Sequence, residues 1–307
     1  MAQKSMVQRV LVHLKTSSSG SPPRLGSFSE CLLESLAPSG GQDRQISVKC
    51  YLQNNRVILE AAESSEATSA KLKHLDVCPM KMMDQSEKDQ LPSEIISRGI
   101  NVGVVALLES SDHHVLITRR AAHMRTFPGV WVPPGGGIDW DETLIQAGLR
   151  ELLEETGLSI ESEIRRNHVL CLWESVYPPI LALGEPKRHH LVIYYHIQVA
   201  SSKLELSRRV RLDPDEVDAC AWLNQPQVDL VVNGHQGDDE LLPRDMPKTF
   251  ELTIIENGVH KTQEWPVEVL TAKAPKSGTD IERISSGTRY ALEQWLLLFN
   301  QTMISKI

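Results

Sequence analysis

The sequence lacks an apolar run long enough to cross a bilayer. A transmembrane helix requires about 18 or more consecutive apolar residues, and no stretch of the 307 residues approaches that length. The N-terminal part also lacks the apolar core of a secretory signal peptide, since Val10, Leu11 and Val12 form too short a run. These absences argue against a membrane protein, and we expect no membrane partner.

Paired cysteines are lacking as well. The five cysteines are odd in number and no two have C-x-x-C spacing: Cys31, Cys50, Cys78, Cys171 and Cys220. The pattern therefore predicts neither a disulfide framework nor a zinc ribbon, and it favours a reducing, intracellular compartment. The adjacent pairs His113-His114 and His189-His190 predict no zinc site, because neighbouring side chains on a strand point to opposite faces.

The sequence also lacks an excess of basic residues. The chain has 32 Lys and Arg against 40 Asp and Glu, a net charge of −8. A global field for long nucleic acids is therefore excluded, and we expect no DNA partner. Any nucleic-acid ligand has to be held by a local patch. The balance of 41% hydrophobic and 23% charged residues is that of a globular protein.

Two terminal segments bear on localisation. Residues 1–29 contain several basic residues and serines and no acid, as in a transit peptide, but Arg9–His13 is equally typical of a strand. The final Ser305-Lys306-Ile307 differs from the peroxisomal Ser-Lys-Leu signal in its last residue. We expect a cytoplasmic protein rather than a mitochondrial or peroxisomal one.

Residues 1–95 have the composition of an accessory region. Gln45–Tyr51 and Arg56–Leu59 flank Asn54-Asn55, a pattern that predicts a β-hairpin. Loops are expected at Ser17–Gly20 and Pro38–Gly41. The polar residues 62–95 predict a linker with a helical stretch. We expect a catalytic domain at 96–240 and a C-terminal extension at 241–307, packed on it through a helix.

From Arg98 onwards the pattern alternates between strands and helices. A tight turn is expected at Gly135–Gly137, and a helix from about Asp141 to Glu155 that ends at Gly157. The other expected elements are strands at Asn101–Leu108, Val115–Thr118, Val130–Val132, 168–174, 190–199 and 219–223, and a helix near 286–299.

The helix before Gly157 carries the chemistry. Glu151, Glu154 and Glu155 are spaced i, i+3 and i+4, so their carboxylates project from one side. The opposite side is an expected apolar stripe of Ile145, Leu149, Leu152 and Leu153. Like charges at this spacing repel unless divalent cations lie between them, and all-oxygen ligation suits Mg²⁺ or Mn²⁺ rather than zinc. A solvated acidic helix face is the alternative for three glutamates alone.

The full spacing decides between these interpretations. The segment Gly136–Leu158 (GGIDWDETLIQAGLRELLEETGL) resembles a complete Nudix box, G-x5-E-x7-R-E-U-x-E-E-x-G-U, at every defining position. The resemblance implies an α/β fold, an α/β/α sandwich with a mixed β-sheet, here preceded by a small β-containing N-terminal region. It implies a Mg²⁺- or Mn²⁺-dependent hydrolase of nucleoside diphosphate-linked substrates. It also implies that Glu151, Glu154 and Glu155 bind metal, with Glu142 and Arg150 as the supporting catalytic pair.

The general base is one of these acids or a nearby one. Glu154 is the first choice, and Glu216, in a late acidic and aromatic segment that many members have, is the second. Arg150 is expected to pair with Glu142 or Glu154, which would orient the metal-binding helix.

Three further segments are similar to a vertebrate subfamily of Nudix hydrolases assigned to the 7-methylguanosine cap of mRNA: Leu172–Pro179, Pro186–His190 and Ser286–Leu292. This similarity implies the capped 5′ end of RNA as substrate and 7-methyl-GDP as product. A methylated guanine is a cationic ring that stacks on aromatic faces, so Trp173, Tyr177 and Trp140 are candidates, with core packing the alternative for Trp173 and Tyr177. Other candidate substrate contacts are Gly136, Arg119 or Arg120, Lys187 and Glu216.

Two other functions stay open. The same box serves hydrolases of ADP-ribose, dinucleotides, coenzyme A or inositol pyrophosphates, because it contacts only the diphosphate and the metals. A non-catalytic nucleotide-sensing or protein-binding module is the alternative from another class. We disfavour it because such a module is expected to have lost box carboxylates, and here all are present.

Overall fold

The computed structural model describes residues 9–15, 21–37, 45–63, 66, 68–234, 247–256, 258–274 and 281–304. The expected loops at Ser17–Gly20 and Pro38–Gly41 and the C-terminal Ser305-Lys306-Ile307 lie outside these residues. Within the described ranges, no helix combines the length and the hydropathy that crossing a bilayer requires.

Fifteen strands and nine α-helices are formed by the described residues. The strands are β1 (Leu11–Lys15), β2 (Arg24–Leu25), β3 (Gln45–Gln53), β4 (Arg56–Ala61), β5 (Ser69–Lys73), β6 (Asn101–Glu109), β7 (Val115–Arg120), β8 (Val130–Val132), β9 (Gly135–Gly137), β10 (Ile164–Tyr177), β11 (Arg188–Val199), β12 (Val217–Leu223), β13 (Thr249–Glu256), β14 (Val259–Pro266) and β15 (Arg283–Ile284). The helices are α1 (Leu32–Leu36), α2 (Pro79–Met82), α3 (Gln85–Asp89), α4 (Ser93–Ile96), α5 (Leu144–Thr156), α6 (Lys203–Arg209), α7 (Gln225–Asn233), α8 (Glu268–Thr271) and α9 (Ser286–Ile304).

The chain divides into two compact units, each assembled from separate segments. Unit 1 contains Met1–Val104, Gly136–Ala147 and Cys171–Ile193. Unit 2 contains Val105–Gly135, Gly148–Leu170 and Tyr194–Ile307.

Unit 1 contains strands in the order β10-β5-β3-β4-β1-β2. The predicted hairpin is confirmed: β3 and β4 are antiparallel, and Asn54 and Asn55 at its turn have φ of 50° and 58°. Left-handed conformations at both turn positions are those of a type I′ hairpin, which asparagine tolerates well.

The prediction of a linker at 62–95 is wrong for much of its length. Strand β5 lies there and pairs antiparallel with β3 and parallel with β10. The short helices α2, α3 and α4 follow, so the predicted helical part is confirmed. The alternation that forms β5 is visible in its burial, since Ala70 and Leu72 are buried between less buried neighbours. The lysines on its other face made the segment resemble a polar linker.

Unit 2 has strands in the order β14-β13-β12-β7-β6, with helices on both faces. Alternate residues along the strands enter two separate cores, as the pleat of a strand requires. One core contains Leu107, Ile117 and Ala221 of the strands with Val231 of α7 and Trp295 of α9. The other contains Leu108, Leu116 and Cys220 of the strands with Leu152 of α5 and Leu206 of α6. This is the expected α/β/α arrangement.

Helix α5 differs in two details from the prediction. It begins at Leu144 rather than near Asp141, which has a left-handed φ of 68°. The expected apolar stripe is wrong at Leu153, which is 45% exposed, whereas Leu152 is fully buried and Leu149 packs against the same core. Gly157 has φ +67°, which confirms that it ends the helix as a residue that needs left-handed freedom.

The expected tight turn at Gly135–Gly137 is also wrong. These glycines form β9, which pairs with β6. The close approach involves a glycine on the other strand: a Cβ on Gly103 would lie 3.2 Å from the carbonyl oxygen of Gly136. The absence of side chains here therefore permits two backbones to pack closely rather than a sharp turn.

Candidate active site

Three carboxylates of unit 2 converge at the C-terminal half of α5. One carboxylate oxygen from each of Glu151, Glu155 and Glu216 lies within 4.8 Å of the other two. Glu151 and Glu155 are one turn apart on α5 and both are buried, while Glu216 precedes β12 and is half-buried. The helix periodicity places the first two together, but Glu216 comes from a different element.

Glu155 is held by both of its oxygens. The backbone amide of Gly135 donates to Oε1 at 3.0 Å, and the hydroxyl of Thr118 donates to Oε2 at 3.1 Å. Burial raises the pKa of Glu155 to about 8; these two hydrogen bonds act against the rise, while the charges of Glu216 and Glu151 add to it. The site thus keeps a fixed carboxylate in an environment that disfavours its charge.

The pKa of Glu151 is raised in the same way. Burial is the main cause, offset by the hydrogen bond and charge of Arg150. Arg150 compensates the buried carboxylates only in part, and a bound divalent cation would remove the remaining cost of burying their charge.

Arg150 bridges two box acids. Its Nη1 donates to Glu151 at 2.8 Å and to Glu154 at 3.0 Å. The predicted pairing of Arg150 with Glu154 is therefore present. The Glu154 side chain is 48% exposed and does not belong to the converging group of Glu151, Glu155 and Glu216. Of the two candidate bases, Glu216 thus lies among the buried carboxylates, and Glu154 lies beside them on the solvent side of the helix.

Glu216 is positioned by main-chain hydrogen bonds on two sides. Its carbonyl accepts from the amide of Ala121, at the end of β7, at 2.9 Å. Three residues earlier, the amide of Asp213 donates to the carbonyl of Glu155 at 3.0 Å. The segment before β12 is therefore fastened both to the central strand and to the end of α5.

Arg119 and Arg120 have opposite orientations. Thr118 contacts Glu155, so Arg120, two residues on, shares the face of β7 towards the carboxylates. Glu155 and Glu216 act to raise the pKa of Arg120 but do not fully offset burial, which lowers it. Arg120 also donates to the carbonyl of Thr126 at 3.1 Å.

Arg119 points to the other face of β7. Its Nε donates to Asp218 at 2.6 Å, its Nη1 donates to Glu282 at 3.2 Å, and its guanidinium lies 4.6 Å from the centre of the Trp265 ring. Asp218 lies where the register between β12 and β7 shifts, as at a β-bulge. A bulge typically changes the direction in which a side chain points. Arg119, a candidate substrate contact, is engaged in protein contacts away from Glu155.

The remaining candidates belong to unit 1. Gly136 is half-buried in β9, and Glu142 accepts a hydrogen bond from the amide of Asp139 at 2.9 Å. Trp173 is 7% exposed, so the core packing that the sequence left open is what the structure shows. Tyr177 and Lys187 are brought together, because the Lys187 amide donates to the Tyr177 carbonyl at 2.7 Å.

Two of the candidates, Trp140 and Lys187, are exposed, whereas a residue close to Lys187 is buried. Trp140 is 46% exposed, and the Lys187 side chain is exposed. His189, in the basic segment beside Lys187, is fully buried and contacts Glu174. His189 is therefore not part of the exposed surface on which Lys187 lies.

Sequence reasoning missed two groups that hold Glu155, the hydroxyl of Thr118 and the amide of Gly135. A signal for Thr118 existed, since it is the polar residue that follows an apolar run in β7 and is two residues from Arg120. Nothing in the sequence singled out the amide of Gly135, because every residue except proline has one.

The donor set fits a hard divalent cation. Glu151, Glu155 and Glu216 offer oxygen only, and Mg²⁺ and Mn²⁺ prefer oxygen ligands whereas zinc prefers nitrogen and sulfur. These three residues could hold such an ion. Burial raises the pKa values of Glu151 and Glu155, and a bound cation would favour their charged forms.

Comparison with known proteins agrees with this site. Residues 97–245 match the family model described as "NUDIX domain". The chain is 43% identical over 293 residues to the protein named m7GpppN-mRNA hydrolase NUDT17 of Danio rerio, covering 94% of this chain and 96% of that protein. The chain belongs to the Nudix family.

Similarity extends to a mammalian member. The protein of the same name in Homo sapiens is 34% identical over 262 residues, which cover 83% of this chain and 79% of that protein. Among solved structures, the MutT NUDIX hydrolase from Burkholderia pseudomallei is 21% identical, with 63% of this chain and 95% of that chain covered and a TM-score of 0.35. The chain is a Nudix hydrolase, and hydrolases of this family generally require a divalent metal.

Proposed function

We propose that this Nudix hydrolase cleaves a phosphoanhydride in the 7-methylguanosine cap of mRNA and releases 7-methyl-GDP. The observation that supports catalysis is the convergence of Glu151, Glu155 and Glu216 within 4.8 Å. The cap is supported by relatives named m7GpppN-mRNA hydrolase NUDT17 that match over most of their length, at 43% identity in Danio rerio and 34% in Homo sapiens.

Mg²⁺ or Mn²⁺ is the metal we propose, bound by Glu151, Glu155 and Glu216. Such an ion, when bound, polarises phosphoryl oxygens and lowers the pKa of a coordinated water. Thr118 and the Gly135 amide hold the Glu155 carboxylate in one orientation. That preorientation spares the site a rearrangement when the substrate arrives.

Glu154 is the proposed general base. Its carboxylate is half exposed, lies outside the converging group, and is oriented by Arg150 at 3.0 Å. It can therefore accept a proton without giving up a ligand position. Arg120 is placed to counter the negative charge of Glu155 and Glu216 during the reaction.

A panel of substrates tests the proposal. The purified full chain, with Mg²⁺ or Mn²⁺, is given methyl-capped RNA, unmethylated capped RNA, ADP-ribose, NADH and coenzyme A in ¹⁸O-labelled water. We expect preferential release of 7-methyl-GDP, with the label identifying the attacked phosphorus by product mass. Glu155→Gln is the catalytic control, and Asp215→Asn, an exposed acid next to Glu216, is the matched control that should stay active.

The other outcomes are distinct. Cleavage of a small nucleotide with capped RNA untouched would keep the hydrolase and discard the cap. Binding of nucleotides with no turnover of any substrate under either metal would instead favour a nucleotide-sensing module.

A further inference from the structure

A second cluster of potential metal ligands lies in unit 1. Cys31, His74 and Glu174 each offer one ligand atom, and these atoms lie within 4.8 Å of one another. All three residues are buried. They precede α1, follow β5 and lie within β10 respectively, so the cluster exists only because β10 pairs with β5.

His74 supplies an observation that is independent of this proximity. Its ring is 5% exposed, and its Nδ1 lies 2.6 Å from the carbonyl oxygen of Leu75. A carbonyl can only accept, so Nδ1 carries the proton and Nε2 has a lone pair in the neutral ring. Nε2 is buried and makes no well-formed hydrogen bond to the described residues, and the side chain that interacts with His74 is the Cys31 thiol. A buried nitrogen whose hydrogen bonding is this poor requires an explanation.

Glu174 is oriented by groups around it. Its Oε1 is contacted by the Leu32 amide at 2.8 Å and by His189 Nε2 at 3.1 Å. Its Oε2 is 3.4 Å from the Leu33 amide and 3.7 Å from the Cys31 sulfur. Outer hydrogen bonds of this kind are what hold a metal-binding carboxylate in place.

A second sulfur, that of Cys78, lies beside Cys31 but outside the group of ligand atoms that are within 4.8 Å of one another. It is buried, and the hydrogen bond between Cys31 and Cys78, together with burial, raises the pKa of the Cys31 thiol. A thiol in this environment is a poor nucleophile, so a Cys-His catalytic pair does not fit. A cation would favour the thiolates, because a coordinated thiol loses its proton.

We propose that Cys31, His74 and Glu174 form a structural zinc site in unit 1, with Cys78, whose thiol interacts with that of Cys31, as the candidate fourth ligand. Sulfur, imidazole and carboxylate are the ligands zinc takes, usually four in a tetrahedron. In such a tetrahedron a sulfur and an oxygen lie about 3.5 Å apart, from Zn–S of about 2.3 Å and Zn–O of about 2.0 Å. The sulfur of Cys31 and Oε2 of Glu174 are 3.7 Å apart.

His189 also orients Glu174. One of its ring nitrogens lies 2.7 Å from the Phe28 carbonyl oxygen, and the other lies 3.1 Å from Oε1 of Glu174. A partner of this kind keeps a ligating carboxylate in one orientation.

This site is distinct from the carboxylate group of unit 2. Its donors are soft, whereas Glu151, Glu155 and Glu216 offer only oxygen, so the two sites select different metals. The sequence predicted no zinc site because no cysteines have C-x-x-C spacing; the four proposed ligands are brought together from separate segments.

The metal content of the full chain tests the site. The chain is purified without chelators and with any affinity tag removed, and zinc is measured by mass spectrometry against protein concentration. We expect about one zinc per chain, and a ratio near zero for Cys31→Ser and for His74→Ala. Cys220→Ser, which alters another buried free thiol in unit 2, is the matched control and should retain the zinc.

A second measurement needs no variant that disturbs the core. The zinc is exchanged for Co²⁺ in the wild-type chain, and visible absorption is recorded. Thiolate-to-cobalt charge transfer and intense tetrahedral bands are expected, and a strong chelator should lower the melting temperature.

Two results would overturn the proposal. One is a chain that contains no zinc and takes up none in competition with a chromophoric chelator. The other is zinc that stays at the wild-type ratio in Cys31→Ser and His74→Ala. Neither result bears on hydrolysis, since the readout is metal content.

Discussion

Asp213 and Glu155 are joined by a main-chain hydrogen bond of 3.0 Å from the amide of Asp213 to the carbonyl of Glu155. A second bond of 2.7 Å joins Arg211 to the next carbonyl, that of Thr156. The last carbonyls of a helix have no partner within the helix, so this segment completes the end of α5. Because Glu216 follows on the same segment, the end of the helix and the third carboxylate are held as one piece.

Substitution of Gly157 should disturb both the end of α5 and the position of Glu216. A Cβ on Gly157 would lie 3.0 Å from the Cβ of Arg211, and the residue has φ +67°. We expect Gly157→Ala to lower the free energy of unfolding by about 1–2 kcal/mol and to reduce turnover by displacing Glu216. Urea unfolding and initial rates measure the two effects.

The matched control for Gly157 is Gly258. It also has a left-handed φ, +76°, but its chain neighbours apart, no atom of the described residues lies within 4 Å of its Cβ position. Gly258→Ala should therefore cost similar stability without loss of turnover. Equal turnover in the two variants would contradict the coupling between the helix end and Glu216.

Substitutions of the acids should distinguish the general base from the metal ligands. Glu154→Gln is expected to reduce turnover by about 10²–10⁴-fold at saturating metal, because a general base is lost. Glu155→Gln and Glu216→Gln should also raise the metal concentration needed for half-maximal rate, because a ligand is lost. Rates across a metal titration measure both, with Asp215→Asn as the control. An unchanged metal requirement in Glu216→Gln would remove that residue from the metal group.

Substitutions of Arg119 and Arg120 should affect different properties, the first stability and the second kcat. Arg119→Met removes contacts with Asp218, Glu282 and the Trp265 ring, so a loss of about 1–3 kcal/mol of stability is expected with kcat unchanged. Arg120→Met should instead lower kcat, since it removes the cation facing Glu155 and Glu216. Melting temperatures and kcat of both variants are the measurement. The reverse assignment would contradict the orientation of the strand.

A buried carboxylate in unit 2 should make stability depend on pH. Burial acts to raise the pKa of Glu109, but hydrogen bonds with His196 and His113, at 2.7 and 2.5 Å, outweigh it and lower the pKa from 4.5 to about 2. Trp295 also donates to it at 2.9 Å. The contribution of ionised Glu109 to the free energy of unfolding is therefore fully present above about pH 4.5 and is lost as the pH falls towards 2.

Glu109→Gln tests this dependence. Removal of the charge should lower stability at pH 7 by about 3 kcal/mol and flatten its decline between pH 5 and 2, as urea unfolding at each pH would show. Glu161→Gln, an exposed acid of unit 2, is the control. A decline as steep as in the wild type would show that other groups cause it.

Trp173 and Trp140 offer a test of cap recognition. Because Trp173 is buried, Trp173→Ala should lower the free energy of unfolding by about 3–5 kcal/mol and weaken methylated and unmethylated caps equally. Trp140, which is exposed, should leave stability unchanged when replaced by Ala. A selective loss of methylated cap in Trp173→Ala, without a lower melting temperature, would restore Trp173 as a stacking residue.

Local sequence pattern was sufficient to predict most helices and strands, but it did not predict which elements they pack against. The β3–β4 hairpin and the end of α5 at Gly157 agree with prediction because turn residues and helix caps act over a few neighbours. Strand β5 was missed because its exposed lysines masked two buried positions. The orientation of Leu153, exposed rather than buried, depends on which side of α5 the core covers.

The sequence by itself determined the family and the helix that bears Glu151, Glu154 and Glu155, because box spacing and helix periodicity are properties of adjacent turns. Only the tertiary structure decided that Glu216 joins Glu151 and Glu155 while Glu154 lies outside, and that Cys31, His74 and Glu174 meet. These groupings depend on strand register and on main-chain hydrogen bonds between distant segments. Such contacts form only when the chain has folded, so the spacing of residues along the sequence does not predict them.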